Sequence, residues 1–194
     1  MSLTPCNLWY ADPPWRFNVR ARETGLGRAP DQHYETMTTD KICALPLQKF
    51  LAPDAYLAMW VYDPMLPDAF RVAKAWGFDV YVTVLFRWLK STDGQYRLFE
   101  DGERLNFGLG YHTRGGGCEE VWLFKRGRGL PVLRHDIRKE FYAPVREHSR
   151  KPDEVARWLI DLYGDVPRVE LFARTSRPGW ISYGDQIEKF SEVP

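Results

Sequence analysis

The four residues Asp12-Pro13-Pro14-Trp15 constrain this chain more than any other stretch of its sequence. They follow residues 8–11, a short apolar run that is typical of a buried strand. Two consecutive prolines end such a strand, because neither can donate a backbone N–H and both hold φ near about −65°. The Asp12 carboxylate is therefore fixed at the carboxyl end of the strand, which is where ligands bind in open α/β sheets.

The chemistry of this motif suits a planar base that carries an exocyclic amine. An Asp oxygen and a neighbouring proline carbonyl can both accept hydrogen bonds from one amino group, and the indole of Trp15 offers a stacking face. Stacking a base on an aromatic ring is worth roughly 1–3 kcal/mol, which is similar to the cost of drawing the base out of its stack. The alternative interpretation is a proline-stiffened turn whose tryptophan packs in the core.

Asp12-Pro13-Pro14-Trp15 resembles motif IV of the amino-directed methyltransferases, which act on the exocyclic nitrogen of adenine or cytosine. Further segments resemble one branch of that group, the adenine-N(6) methyltransferase family related to the catalytic subunit of the eukaryotic messenger-RNA adenosine methyltransferase. These segments are His33-Tyr34-Glu35-Thr36-Met37, Phe107-Gly108-Leu109-Gly110-Tyr111, residues 146–154, Glu170-Leu171-Phe172-Ala173-Arg174, Pro178-Gly179-Trp180 and Gly184-Asp185-Gln186. They follow the family's order over nearly the whole chain, and this makes the resemblance specific.

The resemblance implies an α/β fold, namely a Rossmann-like S-adenosylmethionine-dependent methyltransferase with a mostly parallel central sheet and helices on both faces. The base-binding motif precedes the segment that resembles the cofactor site, so the motif order is circularly permuted. We still expect the two strands to be neighbours, with both pockets at the carboxyl edge of the sheet. Residues 1–194 are expected to form a single methyltransferase domain, with residues 16–37 and 89–118 as substrate-facing loops.

The resemblance also implies roles for individual residues. The expected catalytic residues are Asp12, Pro13, Pro14 and Trp15; the expected substrate-binding residues are Tyr34, Glu119 and Lys151; the expected cofactor-binding residues are Asp12, Lys151, Arg174, Asp185 and Gln186. Simpler roles stay open for three of them: core packing for Tyr34, a surface charge for Glu119 and an ordinary helix start for Lys151. Asp185 stands where the family usually has Asn, although a carboxylate can also accept hydrogen bonds from ribose hydroxyls.

Local patterns predict an alternation of strands and helices. Apolar runs predict strands at residues 55–61, 80–86, 121–124 and 169–173, with a further strand or turn at Ile181. Thr38 or Thr39 is expected to cap a short helix, and Asp63 and Pro64 to open a second one. Pro152 and two acids start a third helix, and a closing helix is expected near Gln186. This rhythm predicts a parallel sheet with right-handed crossovers.

Composition excludes several classes of protein. The three cysteines are widely spaced and odd in number and the four histidines are scattered, so we expect neither a disulfide framework nor a metal site. No apolar run reaches membrane length and no signal peptide precedes the first strand, so we expect a cytoplasmic protein of a bacterial or phage-infected cell. The resemblance leaves a homodimer open.

Two clusters of basic residues are candidates for phosphate contacts, although such clusters often form only a solvated face. The first comprises Arg16, Arg20, Arg22 and Arg28, and the second comprises Lys125, Arg126, Arg128, Arg134, Arg138 and Lys139. The net charge of +1 is not that of a dedicated nucleic-acid coat protein.

The predicted function is transfer of a methyl group from S-adenosylmethionine to the N(6) amine of adenine in DNA, without a metal. One alternative keeps the fold but acts on RNA adenine, or on cytosine in DNA. Another is a non-catalytic subunit that binds nucleic acid on a methyltransferase scaffold. Such subunits usually lose the motif IV aspartate or the cofactor residues, whereas this sequence has both.

Overall fold

The structure, a computed structural model, describes residues 4–16, 36–91, 117–147 and 149–190. Its strands are β1 (Cys6–Ala11), β2 (Leu51–Val61), β3 (Val80–Ser91), β4 (Cys118–Arg126), β5 (Glu140–Pro144), β6 (Arg168–Leu171) and β7 (Ile181–Tyr183). Its α-helices are α1 (Thr39–Cys43), α2 (Leu66–Ala75) and α3 (Glu154–Tyr163), and two 3₁₀ turns cover Gln48–Phe50 and Asp63–Met65.

All seven strands form one sheet in the order β5-β3-β4-β2-β1-β6-β7. Every neighbouring pair is parallel except the two that involve β4, which runs antiparallel to both β2 and β3. The predicted α/β fold with a mostly parallel sheet is therefore confirmed. The prediction of a parallel sheet was wrong at one strand, because β4 lies between β2 and β3 and is antiparallel to both. The β2–α2–β3 crossover leaves a gap of one strand between β2 and β3. Strand β4, which follows β3 in the chain, turns back and fills this gap.

Helices cover both faces of the sheet, as the resemblance implied. Trp9 and Ala11 of β1 point into the core that α1 and α2 cover, whereas Leu8 and Tyr10 point into the core that α3 covers. The central strand β1 is thus apolar on both sides, which explains why its sequence lacks the alternation of a half-exposed strand.

Two helix predictions need correction. Asp63 is not the N-cap of α2, which begins at Leu66 after a 3₁₀ turn. Pro64 and Pro67 lie three residues apart, and both fit only in a first helical turn, so the regular helix starts late. The closing helix near Gln186 is wrong as well, because residues 185–190 form turns. The Phe190 N–H donates to the Arg174 carbonyl at 3.0 Å, not to a carbonyl four residues earlier.

The start of α3 was predicted too early, because Asp153 is its N-cap and Pro152 lies outside the helix, whereas the cap of α1 was predicted correctly. Thr38 is the N-cap of α1, and its Oγ1 accepts from the Lys41 N–H at 3.4 Å. Strand β5 was not predicted. It is a short edge strand that ends at Pro144 and pairs only with the last part of β3, so it has little apolar pattern of its own. Within the described ranges, no helix is long and apolar enough to cross a membrane.

Candidate active site

The order of the strands places a candidate site at the carboxyl end of β1. Strand β2, which follows β1 in the chain, lies on one side of it, and β6 lies on the other. This reversal is a topological switch point, beside which open α/β sheets bind their ligands. The motif aspartate follows β1, and the segment from Phe172 to Arg174 follows β6. The predicted adjacency of the two strands is confirmed.

Backbone hydrogen bonds hold the Asp12-Pro13-Pro14-Trp15 turn in place. The Trp15 N–H donates to the Pro13 carbonyl at 2.8 Å, and the Met37 N–H donates to the Pro14 carbonyl at 2.8 Å. A parallel bridge joins Trp15 to Met37. The proline carbonyls therefore have fixed directions, and each oxygen keeps a second lone pair that can accept from a ligand.

Trp15 lies mostly in the core, where it is 6% exposed. Its indole N–H points toward the Trp60 carbonyl at 3.4 Å. The visible role of the ring is therefore to brace the turn, which is what the packed-tryptophan interpretation describes. Its stacking on a base stays a prediction.

Four charged side chains of alternating sign extend from the motif, and we name them the charge chain: Asp12, Lys151, Glu119 and Lys90. Lys151 Nζ lies 3.0 Å from Asp12 Oδ1 and 3.2 Å from Glu119 Oε2. Lys90 Nζ lies 2.5 Å from Glu119 Oε1. The structure thus brings together three residues that the sequence nominated for the site, and it adds Lys90.

The charge chain is electrically balanced and mostly shielded from water. Its side chains are between 13% and 22% exposed. Burial opposes ionisation of Glu119, but Lys151 and Lys90 outweigh it and lower the pKa of that carboxyl to about 2. Glu119 is thus a paired and mostly buried carboxylate, and its role in binding the substrate stays a prediction.

A second group of charges lies behind the motif, around Glu170 of β6. Its Oε2 accepts from Arg177 Nε at 3.0 Å, and Arg177 Nη2 lies 2.7 Å from Asp153 Oδ1. Arg146 Nη1 contacts the other oxygen of Asp153 at 2.8 Å, and Arg146 Nη2 donates to the Lys151 carbonyl at 2.8 Å. This network fixes the backbone of Lys151 beside Asp12, and the role of Lys151 in binding substrate or cofactor stays a prediction.

Glu170 itself is buried, at 8% exposed. Burial raises the pKa of its carboxyl to about 7, and Arg177 offsets only part of that effect. The residue pairs in register with Tyr10 of β1, whose hydroxyl accepts from Trp60 Nε1 at 2.7 Å. Sequence reasoning gave no role to Glu170, Arg177 or Lys90. Lys90 and Glu170 could have been noticed in the sequence, because each is a charged residue near the end of an apolar strand and such positions often belong to a site.

The predicted cofactor residues lie along the ends of β6 and β7. The Ala173 N–H donates to the Tyr183 carbonyl at 2.9 Å, which joins the two strand ends just before Arg174 and Gly184. Asp185 is exposed, and Gln186 Oε1 accepts from Lys189 Nζ at 3.0 Å. Tyr34 and most of the two predicted loops, 16–37 and 89–118, lie outside the described residues.

Comparison with known proteins decides the family. The sequence profile of the MT-A70 family matches residues 7–186, which include the motif, the charge chain and the ends of β6 and β7. The chain belongs to the MT-A70 family.

The relatives of this MT-A70 protein differ in how much of their own length the match covers. It is 26% identical to the Type II methyltransferase M.MunI of Mycoplasma sp, over 95% of this chain and 79% of the relative. It is also 26% identical to the human N(6)-adenosine-methyltransferase catalytic subunit METTL3, over 92% of this chain but only 27% of the relative. The mouse N(6)-adenine-specific methyltransferase METTL4 is 25% identical, over 94% of this chain and 37% of the relative.

The second basic cluster of this MT-A70 chain lies away from Asp12. Arg126 pairs in register with Ala55 in the first half of β2, so it lies toward the opposite end of the strands from Asp12. Arg128 contacts Asp54 at 3.2 Å and Arg134 contacts Asp136 at 2.5 Å. Phosphate contacts by this cluster stay a prediction, and the geometry separates them from the motif. In the first cluster only Arg16 is described, and it is exposed beside the motif.

No candidate metal site occurs in the part of the MT-A70 chain that the structure describes. There, no three His, Cys, Asp or Glu side chains group closely enough to hold an ion.

The raised pKa of Glu170 predicts how stability changes with pH. Between pH about 4.5 and about 7 the folded protein holds a proton on Glu170 that the unfolded chain has released. The free energy of unfolding should therefore fall by on the order of 2–3 kcal/mol as pH rises through this window. Glu170→Gln, which mimics the protonated acid, should flatten this part of the profile in urea unfolding measured at several pH values.

The control for this measurement is Asp79→Asn, which removes an exposed carboxyl group between α2 and β3 and should leave the profile unchanged. An equal slope in Glu170→Gln and the parent protein would show that Glu170 ionises normally.

Proposed function

We propose that this protein is an S-adenosylmethionine-dependent methyltransferase that acts on the N(6) amine of adenine in DNA. The observation that carries the proposal is the contact between Asp12 of the motif and Lys151, at the carboxyl ends of neighbouring strands β1 and β6. In this proposal residues 1–194 form a single methyltransferase domain, and residues 16–37 and 89–118 face the nucleic acid.

The residues at these strand ends suit the chemical groups of S-adenosylmethionine. Asp12 and the cations Lys151 and Arg174 match the ammonium and carboxylate of its amino-acid part, and Asp185 and Gln186 offer acceptors for ribose hydroxyls. When bound, S-adenosylmethionine supplies a methyl group on a cationic sulfonium, so transfer needs neither a metal nor a covalent protein intermediate.

Asp12 has two tasks in the transfer step. Together with the Pro13 carbonyl it accepts hydrogen bonds from the adenine amine, which fixes the amine and directs its lone pair toward the methyl group. Its carboxylate would then stabilise the positive charge that develops on the nitrogen as the methyl–sulfur bond breaks and the N–C bond forms, and the methylated amine would release one proton to water. Lys151 holds one oxygen of Asp12, at 3.0 Å, and so orients the other oxygen.

Holding the reacting groups in a fixed orientation supplies a further part of the rate enhancement. Well-oriented partners can save roughly 7–11 kcal/mol compared with reactants that meet freely. The bonds that hold the proline turn and the network behind Lys151 keep these acceptors in place before the base arrives.

Similarity to the Type II methyltransferase M.MunI, a relative that acts on DNA, supports DNA as substrate. The matched region makes up 79% of the Type II methyltransferase M.MunI but only 27% of human METTL3. RNA adenine is the second candidate, and the METTL3 relatives favour it.

Transfer of labelled methyl groups tests the proposal. The purified protein is incubated with radiolabelled S-adenosylmethionine and, separately, double-stranded DNA, single-stranded DNA and RNA, and the products are digested to nucleosides. We expect label in N(6)-methyladenine from DNA. Label only in RNA would favour the second candidate, and label in methylcytosine would overturn the choice of base. No binding of S-adenosylmethionine in calorimetry would favour the non-catalytic subunit.

A further inference from the structure

Lys90 is the last member of the charge chain, joined to Asp12 through Glu119 and Lys151. It is the penultimate residue of β3, and its side chain is 17% exposed. Its backbone N–H donates to the Gly117 carbonyl at 2.9 Å, and Trp88, two residues earlier on the same strand, pairs in register with Glu119. The sheet therefore fixes Lys90 beside Glu119, independently of the ion pair.

The contacts of Glu119 are divided between two lysines. Lys90 Nζ contacts Oε1 at 2.5 Å, whereas Lys151 Nζ contacts Oε2 at 3.2 Å. Lys151 thus binds one oxygen of Glu119 and, at 3.0 Å, one oxygen of Asp12. These two distances are nearly equal, so Lys151 is shared between two carboxylates of similar attraction.

Removing Lys90 would unbalance this sharing. Glu119 would keep its negative charge in a mostly buried place and would have one cation instead of two. Both of its oxygens would then attract Lys151, which would move toward Glu119 and away from Asp12. Among the described residues, Lys90 Nζ contacts Glu119 and also lies 5.1 Å from the centre of the Trp88 ring, and the chain of ion pairs from Lys90 to Asp12 runs through Glu119 and Lys151.

We infer that Lys90 is a positioning residue, which occupies Glu119 so that Lys151 stays against Asp12. The expected loss of kcat on removing Lys90 rests on the proposed methyltransferase function. The expected movement of Lys151 away from Asp12 does not. The competing explanation is an ion pair that only stabilises the fold.

A double-mutant cycle with Glu119 tests the inference in the transfer assay. Lys90→Met should lower kcat on the order of tenfold, the scale seen when a residue that orients a functional side chain is removed. In a Glu119→Gln background the same change should alter kcat by less than about twofold, since the path to Asp12 is already broken. Lys90→Arg should keep kcat within about threefold of the parent, because it preserves the charge. Lys74→Met, an exposed change on α2, is the control.

Equal losses from Lys90→Met in both backgrounds would overturn the inference, because Lys90 would then act without Glu119. An unchanged kcat in the single variant would overturn it too. A lower melting temperature with the parent kcat would show a purely structural ion pair.

A crystal structure of Lys90→Met separates this inference from the proposed function. We expect Lys151 Nζ to contact both oxygens of Glu119 and to leave Asp12. If Lys151 keeps its contact with Asp12 in the variant, the inference fails even if the parent protein methylates DNA. If Lys151 moves as expected but no nucleic acid is methylated, the proposed function fails and the positioning role stands.

Discussion

Asp12→Asn and Asp12→Ala are expected to abolish methyl transfer while the protein stays folded. Asn has nearly the shape of Asp but lacks the negative charge that stabilises the developing ammonium, and its amide nitrogen donates where an acceptor is required. Loss of one such oriented group lowers kcat by roughly 10²–10³-fold, and here the charge is lost as well. Single-turnover transfer to DNA measures the effect.

Folding is monitored in the same variants by circular dichroism and thermal unfolding. Asp12 is only partly buried, and Lys151 keeps Glu119 as a partner when the carboxylate is removed. We therefore expect a change in stability that is small compared with the loss of activity. Asp79→Asn is again the control and should transfer at the parent rate. Turnover by Asp12→Ala close to that of the parent would contradict the mechanism.

The sequence was most informative where a function depends on local chemistry. The proline pair ends β1 whatever the rest of the chain does, so the position of Asp12 at a strand end followed from a few residues. Helix α1 was predictable for the same reason, since Thr38 caps it within three residues. At Pro64 and Pro67 local rules conflicted, and the start of α2 was misplaced.

Contacts between distant residues were much harder to predict. Lys90 and Glu119 are 29 residues apart, and their meeting depends on β4 lying antiparallel beside β3. No local sequence pattern predicts that β4 runs antiparallel to its neighbours. The link from Lys151 to Asp12 came from family resemblance alone, and the resemblance did not supply the geometry in which Glu119 is shared by two lysines. No role was predicted for Arg177, because its partners, Glu170 on β6 and Asp153 at the N-cap of α3, meet it only in the folded chain.

The second large effect is expected at Gly184, which follows β7 and precedes the predicted cofactor residue Asp185. A Cβ added there would overlap the carbonyl oxygen of Ala173 and would lie 2.6 Å from its nitrogen. Both obstacles are backbone atoms, and the same Ala173 nitrogen donates to the Tyr183 carbonyl. No side-chain rotation can relieve this overlap, so the ends of β6 and β7 must separate.

Gly184→Ala should therefore cost about 1–3 kcal/mol of stability, the usual scale for overpacking. Because the separation displaces Arg174 on one strand end and Asp185 and Gln186 on the other, affinity for S-adenosylmethionine should fall by at least about tenfold, as for a lost charged contact. Urea unfolding and titration calorimetry measure the two effects. Ile181→Ala on the exposed side of β7 is the control, since it shortens a side chain that is 40% exposed and leaves the backbone contact intact. Parent-like cofactor affinity in Gly184→Ala, with the stability loss present, would show that the cofactor does not bind between these strand ends.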